Sequence, residues 1–350
     1  MIVQSTLQHK VNDIRCKAVP LIGEEKEIRM HSSILSAKRL LLTLVAGAAC
    51  GTQQIPPNAT RSSVPVSPEI FAPGVISDDQ EQWRITFTPD GRTAYFASSP
   101  EFFPISRRAT IYVSHFKEGR WDGPVVAPFS GTHGDIDPFV SPDGKRLYFS
   151  STRPVNGVSK RDLDIWFVDR VQSEWSEPVH LDSAVNSARD ELYPSASADG
   201  TLFFASGPFA PQAGQHWDIY MAERTRSGFA PRKALGPGVN SQPGTSDTGP
   251  QDAWEFNPEI SMDGKTLVFT SLRRGGNGLG DLYVSHLVNG EWSAARNVGP
   301  LVNTAADEYH PTLSRDGRDL YFVRRGPRKG DFFRIPTSAL DLFSRMRIQD

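Results

Sequence analysis

The tightest constraint on this chain is a turn that it uses five times. Asp90-Gly91, Asp143-Gly144, Asp199-Gly200, Asp263-Gly264 and Asp316-Gly317 recur at spacings of 53, 56, 64 and 53 residues. In the fullest copy, Ser141-Pro142-Asp143-Gly144, Pro142 presets φ, Asp143 can bond its own backbone, and Gly144 accepts the positive φ that closes the turn. Each turn leads into an alternating stretch: TAYFASS, RLYFSST, TLFFASG, TLVFTSL or DLYFVRR. Alternation at period 2 is a strand, so the repeated unit is a hairpin.

A third strand begins in each copy at Thr110, Asp164, Asp218, Asp281 or Asp331, and the first four copies add a fourth, marked by Trp121, Trp175, Phe229 or Trp292. Four strands at this period predict an all-β fold, a five-bladed β-propeller of four-stranded antiparallel blades. The 27 Pro and 29 Gly suit many short strands joined by turns. The fifth copy stops near Ser338 without a fourth strand. Residues 66–72 are expected to supply it, an N-terminal outer strand added to the last blade that closes the ring and hides its edges. The propeller is thus predicted over 66–338, with 339–350 as a tail.

The N-terminus reads differently. Residues 1–29 are charged and aperiodic, and translation is expected to start at Met30. Lys38-Arg39, the apolar run Leu40–Ala46 and the small residues Gly47-Ala48-Ala49 before Cys50 have the order of a signal peptide. That apolar run is too short for a permanent span. The stretch resembles a bacterial lipoprotein signal, which implies export to the periplasm and lipidation at Cys50; Gly47 departs from the apolar residue usual there, and simple secretion with cleavage after Ala48 or Ala49 is the alternative. Residues 51–65 read as a flexible tether. A net charge of −2 without basic clusters argues against nucleic acid, and two cysteines cannot make a disulfide framework.

The hairpins, the D-[IL]-[YW] third strands and the W-x-x-P fourth strands together resemble the TolB-type, WD-repeat-like propellers of bacterial envelopes, over roughly residues 66–338. TolB itself has six blades, one more than the hairpins here. The resemblance implies a monomeric, envelope-anchored module that binds a protein or glycan through its loop-rich face, touching the membrane only through its lipid. A minority of such propellers are peptidases or polysaccharide lyases. No G-x-S-x-G, H-E-x-x-H or paired-cysteine motif occurs, and the repeat differs from the sialidase Asp box, whose Asp and Gly are separated by one residue.

Aligned on the turns, two polar columns precede the innermost strands. The first is Gln82, Asp135, Glu191, Glu255 and Glu308. Its recurrence predicts an architectural role, each carboxylate accepting backbone N–H bonds between blades. Read instead as chemistry, Asp135, Glu191, Glu255 and Glu308 would be the acid–base set of a carbohydrate-active enzyme, glycoside hydrolase or lyase. The second column, Arg84, Asp137, Tyr193, Asn257 and His310, differs in every blade, as a recognition surface would; plain solvation is the alternative. Asp164, Asp281 and Asp331 are expected to pair with Arg153, Arg273 and Arg324. The unlike loops 98–109, 207–217 and 241–254 offer Phe102, Phe103, Trp217 and Trp254 as contacts, with covering of their own blades as the alternative. No cofactor is expected; Asp135-Ile136-Asp137 and Asp162-Leu163-Asp164 are only weak candidates for Ca²⁺.

Overall fold

The turns close as their residues dictate. Asp143 Oδ1 accepts the Ser141 hydroxyl at 2.7 Å and the Lys145 amide at 3.0 Å, while Gly144, at φ 72°, donates its amide to Ser141 O at 2.8 Å. The same hydroxyl–carboxylate bond joins Thr88 to Asp90, Ser197 to Asp199, Ser261 to Asp263 and Ser314 to Asp316. At Asp90, Asp199 and Asp316 that hydroxyl is the main reason the carboxyl lies below its usual pKa. At Asp143 and Asp263 partial burial pulls upward, and the hydrogen bonds outweigh it.

The computed structural model describes residues 66–208, 216–241 and 254–343, so the signal-like stretch, Cys50, the tether and most of the 241–254 loop lie outside it. Five antiparallel sheets form the blades of a ring. Blade 1 holds β2 (Glu81–Phe87), β3 (Thr93–Ser99), β4 (Thr110–Lys117), β5 (Arg120–Trp121) and β6 (Val125–Val126); blade 2 holds β7 (Asp135–Val140), β8 (Arg146–Ser151), β9 (Asp164–Val171), β10 (Glu174–Trp175) and β11 (Val179–His180). Blade 3 holds β12 (Asp190–Ala196), β13 (Leu202–Gly207), β14 (Asp218–Ala222) and β15 (Lys233–Ala234). Blade 4 holds β16 (Glu255–Ile260), β17 (Thr266–Ser271), β18 (Asp281–Val288), β19 (Glu291–Trp292) and β20 (Arg296–Asn297). Blade 5 joins β21 (Asp307–Leu313), β22 (Asp319–Arg325) and β23 (Gly330–Pro336) to β1 (Glu69–Ile70). In blades 1, 2 and 4 the outer strand comes in two short pieces, separated in the first two by Pro124 and Pro178, which cannot donate to a ladder.

The ring closes as expected. Glu69 pairs with Arg334 and Ile70 with Phe333, and the Phe71 amide continues the ladder to Phe332 O at 2.8 Å. Phe71 then turns its ring edge-on to Tyr321 of blade 5 and to Phe87 and Trp121 of blade 1, with centroids 5.0, 5.9 and 5.8 Å away. Each second strand sends one phenylalanine into the core: Phe96, Phe149, Phe204, Phe269 and Phe322 are all fully buried. Beyond Ser338 the chain is not simply loose, because a 3-10 turn at Thr337–Ala339 leads to a buried Leu342 in the blade 4–blade 5 core.

All five innermost strands carry a bulge at the same place, between Gln82 and Ile85, Ile136 and Phe139, Leu192 and Ser195, Phe256 and Glu259, and Tyr309 and Thr312. In four of them the bulged residue has positive φ: Asp137 58°, Tyr193 62°, Asn257 51° and His310 51°. A proline follows each of these four, placed where the ladder is already interrupted. A bulge re-aims a side chain, and here it aims the second polar column at the ring axis.

Because Phe71 ties the strap to both blades that meet at the seam, Phe71→Ala is expected to cost about 3 kcal/mol, the low end for Phe→Ala truncations, since the ring is only partly buried. Ile70→Ala, at a side chain that stays exposed, should cost well under that. Urea unfolding of the two variants makes the comparison.

Candidate functional site at the ring axis

The first polar column is locked into the joints between blades. Glu191 Oε2 accepts the Ser187 amide at 2.8 Å, and its Oε1 accepts the hydroxyls of Ser187 and Ser206 at 2.6 and 2.7 Å. Arg232 completes the set at 2.7 Å and also donates to Val185 O in the linker. Glu255 repeats the arrangement with Ser241, Ser271 and Arg273, whose far end reaches Val239 O. Glu308 repeats it with Thr304 and Arg324, which reaches Val302 O. Asp135 does so with Ser130, Ser151 and Arg153, which donates to Phe129 O. The linker is held from the other side too: Asn186, Asn240 and Asn303 accept from and donate to the backbone of Ile165, Ile219 and Leu282 in the preceding blade. All four carboxylates are fully buried. Burial raises the pKa of Asp135, Glu191 and Glu255 against the pull of these hydrogen bonds and, where present, the arginine charge. Gln82, the odd member, donates to Asp78 instead.

This corrects one expectation. Arg153, Arg273 and Arg324 do not pair with the aspartates that open the third strands; they fold back over Phe149, Phe269 and Phe322, with guanidinium-to-ring distances of 5.0, 5.5 and 5.4 Å, and reach the first-column carboxylates. The aromatic face guides the cation inward. The third-strand aspartates find other partners: Lys160 and His180 for Asp164, His216 for Asp218, Asn277 and Asn297 for Asp281, and Lys329 for Asp331. Lys160 also holds Asp162 at 2.8 Å, so an ammonium sits between the carboxylates of that Asp-x-Asp pair. Among the described residues no group of three or more His, Cys, Asp or Glu side chains converges on a metal position.

The second column meets at the axis. Side chains of the innermost strands of non-neighbouring blades can touch only there. His310 Nδ1 of blade 5 lies 3.5 Å from Asp137 Oδ1 of blade 2, and Arg84 of blade 1 pairs with Glu259 of blade 4. Tyr193 of blade 3 places its ring 5.4 Å from that of His310. Arg84, Asp137, Asn257, Glu259 and His310 are all buried. Glu259 was not a sequence candidate; it sits after Pro258, beyond the bulge, where the parity of the strand has shifted.

The proton positions follow from the hydrogen bonds. Asn257 Oδ1 accepts the His310 backbone amide at 3.4 Å, so its Nδ2 faces His310 Nδ1, at 3.0 Å. Nδ1 must therefore offer a lone pair and the ring proton sits on Nε2. An ionised Asp137 would set its negative charge against that lone pair, an unfavourable meeting that a protonated one avoids. Burial, opposed by the Arg84 charge, raises the Asp137 pKa to about 8 and, together with Arg84, holds that of His310 well below its ordinary value. Both shifts favour the neutral forms of the pair. Neither Asp137 oxygen has a hydrogen-bond partner among the described residues; the Tyr193 amide approaches without reaching hydrogen-bond geometry.

Aromatic rings surround this cluster on the loop-bearing side. Trp83 lies 5.6 Å from Phe102, 6.0 Å from Phe103, 6.1 Å from Tyr309 and 5.8 Å from His310. Tyr193 lies 6.3 Å from Trp217 and 5.9 Å from Phe256. The sequence candidates Phe102, Phe103, Trp217 and Trp254 thus join one apolar cluster, with Phe103 and Trp217 buried and Phe102 and Trp254 partly open. Trp83, Phe256 and Tyr309 were missed; each neighbours a second-column residue, a signal hidden by its place inside a strand. The buried Trp254 Nε1 and Tyr309 hydroxyl lack partners among the described residues.

Two outcomes follow. Glu255→Ala strands Arg273 beside an apolar core and is expected to destabilise by about 3–5 kcal/mol in urea unfolding. Asp137→Asn should do the reverse. With a raised folded-state pKa, Asp137 binds a proton in the folded chain that it has lost in the unfolded one, so it drains stability as pH rises from about 4 to about 8. The melting-temperature gain of Asp137→Asn should therefore be near zero at pH 4 and greatest at pH 8 and above.

No family model matches the chain, and no curated protein matches it. Among solved structures it is similar to TolB from Acinetobacter baumannii, at 15% identity and a TM-score of 0.43, over 73% of this chain and 54% of that one, so it spans about half of that protein. It is similar also to the periplasmic gluconolactonase PpgL of Pseudomonas aeruginosa, at 17% identity and a TM-score of 0.39, over 70% of this chain and 65% of that one. A third is the endo-arabinase from Bacteroides thetaiotaomicron VPI-5482, at 16% identity and a TM-score of 0.47, over 75% and 96%. Likeness of this degree transfers none of the three activities.

Proposed function

We propose that this protein is a non-catalytic recognition module of the bacterial envelope that binds a protein or glycan partner through its loop-bearing mouth. The observation that carries the reading is the division of labour between the two columns. The carboxylates that recur, and could have formed an acid–base pair, are each committed to an arginine, to one or two hydroxyls and in three blades to a linker amide. A general acid or base must reach substrate, and these are fully buried. The side chains that differ from blade to blade converge instead at the axis, beneath partly open aromatics whose faces suit a sugar ring or an apolar side chain. Export and anchoring rest on residues 30–50, and the lipid would be carried by Cys50.

Binding of the full chain to peptidoglycan, to envelope polysaccharides and to envelope proteins, measured with Phe102→Ala/Trp254→Ala beside it, tests the reading. The paired substitution should weaken the bound class by about tenfold or more, as loss of two stacking aromatics does, while Val125→Ala on the outer edge leaves it unchanged. Release of new reducing ends from a polysaccharide, abolished by Glu191→Gln or Glu255→Gln, would replace this reading with the enzymatic one. Labelled palmitate should enter the wild-type chain and not Cys50→Ser.

A further inference from the structure

The opposite mouth of the channel, on the side of the Asp-Gly turns, holds a second feature. Four of the turns carry Pro89, Pro142, Ala198 or Met262 before the aspartate; the fifth carries Arg315. This side chain crosses the axis. Its Nη2 donates to Phe87 O of blade 1 at 3.4 Å and to Val140 O and Ser141 O of blade 2, the last at 2.9 Å. Its Nη1 meets only the thioether sulfur of Met262, at 3.6 Å, a weak acceptor. No carboxylate among the described residues lies at ion-pair distance from it. Glu259, the nearest buried one, is already engaged by Arg84 and by the Leu313 amide at 3.0 Å. Arg315 is thus left without a carboxylate of its own among the described residues.

Arg315 and Glu259 face a cavity of about 380 Å³ that opens to solvent, within the range of small-molecule sites. Its remaining walls are largely apolar. We propose that this cavity binds a small organic monocarboxylate, its head on the Arg315 guanidinium and its body against Phe87, Phe139, Ile260, Met262 and Phe343. A single negative charge matches the single excess positive one. Asp316 and Asp263 at the rim are matched by Arg318 and Lys265, so a second negative charge on the ligand would find no further cation and would meet Glu259 inside. A neutral ligand could accept from Nη1 but would leave the guanidinium charge without a counterion. The site is separate from the loop-bearing mouth and does not rest on the recognition reading.

Calorimetric titration of the full chain with benzoate and hexanoate, against benzyl alcohol and hexanol, tests this. The carboxylates should bind saturably and at least about tenfold more tightly than the alcohols, the worth of one hydrogen-bonded charge. Arg315→Met should erase that preference and leave the alcohols as they were. Met262→Trp, which fills the cavity and keeps the guanidinium, should abolish binding of all four. Equal affinity for acids and alcohols, or no saturable binding of either carboxylate, overturns the proposal on the wild-type chain alone, whatever the variants do.

Discussion

The ring depends on a carboxylate clasped between an arginine and a linker. Sheets packed side by side around an axis can slide or splay, because apolar contact is not directional. The joints at Asp135, Glu191, Glu255 and Glu308 remove that freedom, since a bidentate or multiply bonded charge has only one satisfying geometry. Three linkers are held on both sides, by their own asparagine bonded to the backbone of the blade they leave and by a carboxylate and arginine on the blade they enter. In the fourth, Ser130 accepts the Ile111 amide of blade 1 while Asp135 and Arg153 hold the blade 2 side. Buried pairs of this kind add little net stability over a well-packed apolar alternative, but breaking one is costly. Their contribution is register. Blade 3 makes the point: with glycine at the end of its second strand it borrows Arg232 from the segment leading into its outer strand, and the cation still arrives.

With the joints handled by repeated residues, the axis is free to be irregular. The bulge turns one side chain per blade inward, and the five that arrive are a cation, an acid, a phenol, an amide and an imidazole. Asp137 and His310 form an acid–imidazole pair, and Arg84 pairs with Glu259 from beyond the bulge. Such a layer is polar without being strongly charged at neutral pH, and it separates the two mouths of the channel, aromatic on one side and apolar with one guanidinium on the other.

The hairpins, the blade number and the closing strand were legible because their signals are local: an Asp-Gly turn, a period of 2, and a missing outer strand at one end with a spare one at the other. The two columns were legible as columns, since alignment on the turns needs no three-dimensional knowledge. Their partners were not. The arginines at 153, 273 and 324 stand opposite or near the third-strand aspartates in sequence register, and only the aromatic rails beneath them send them elsewhere. Glu259 was hidden because the bulge at Asn257 changes which face the next residue takes. Arg315 was not a sequence candidate, because the residue before the turn aspartate varies among Pro89, Pro142, Ala198 and Met262, and its reach across the axis is a matter of distance that no pattern encodes.

The seam has a consequence for how the molecule is made. Glu69 and Ile70 are synthesised before any blade exists, but their partners Phe333 and Arg334 come some 260 residues later. At ordinary rates of about 5–20 residues per second, the first strand waits of the order of 13–50 seconds for the last. Until then blade 5 has no outer edge and blade 1 lacks the cover of Phe71. Completion is therefore a single late event that joins the two extremes of the domain, and a nascent chain stopped short of β23 would present an unzipped circle to whatever meets it first.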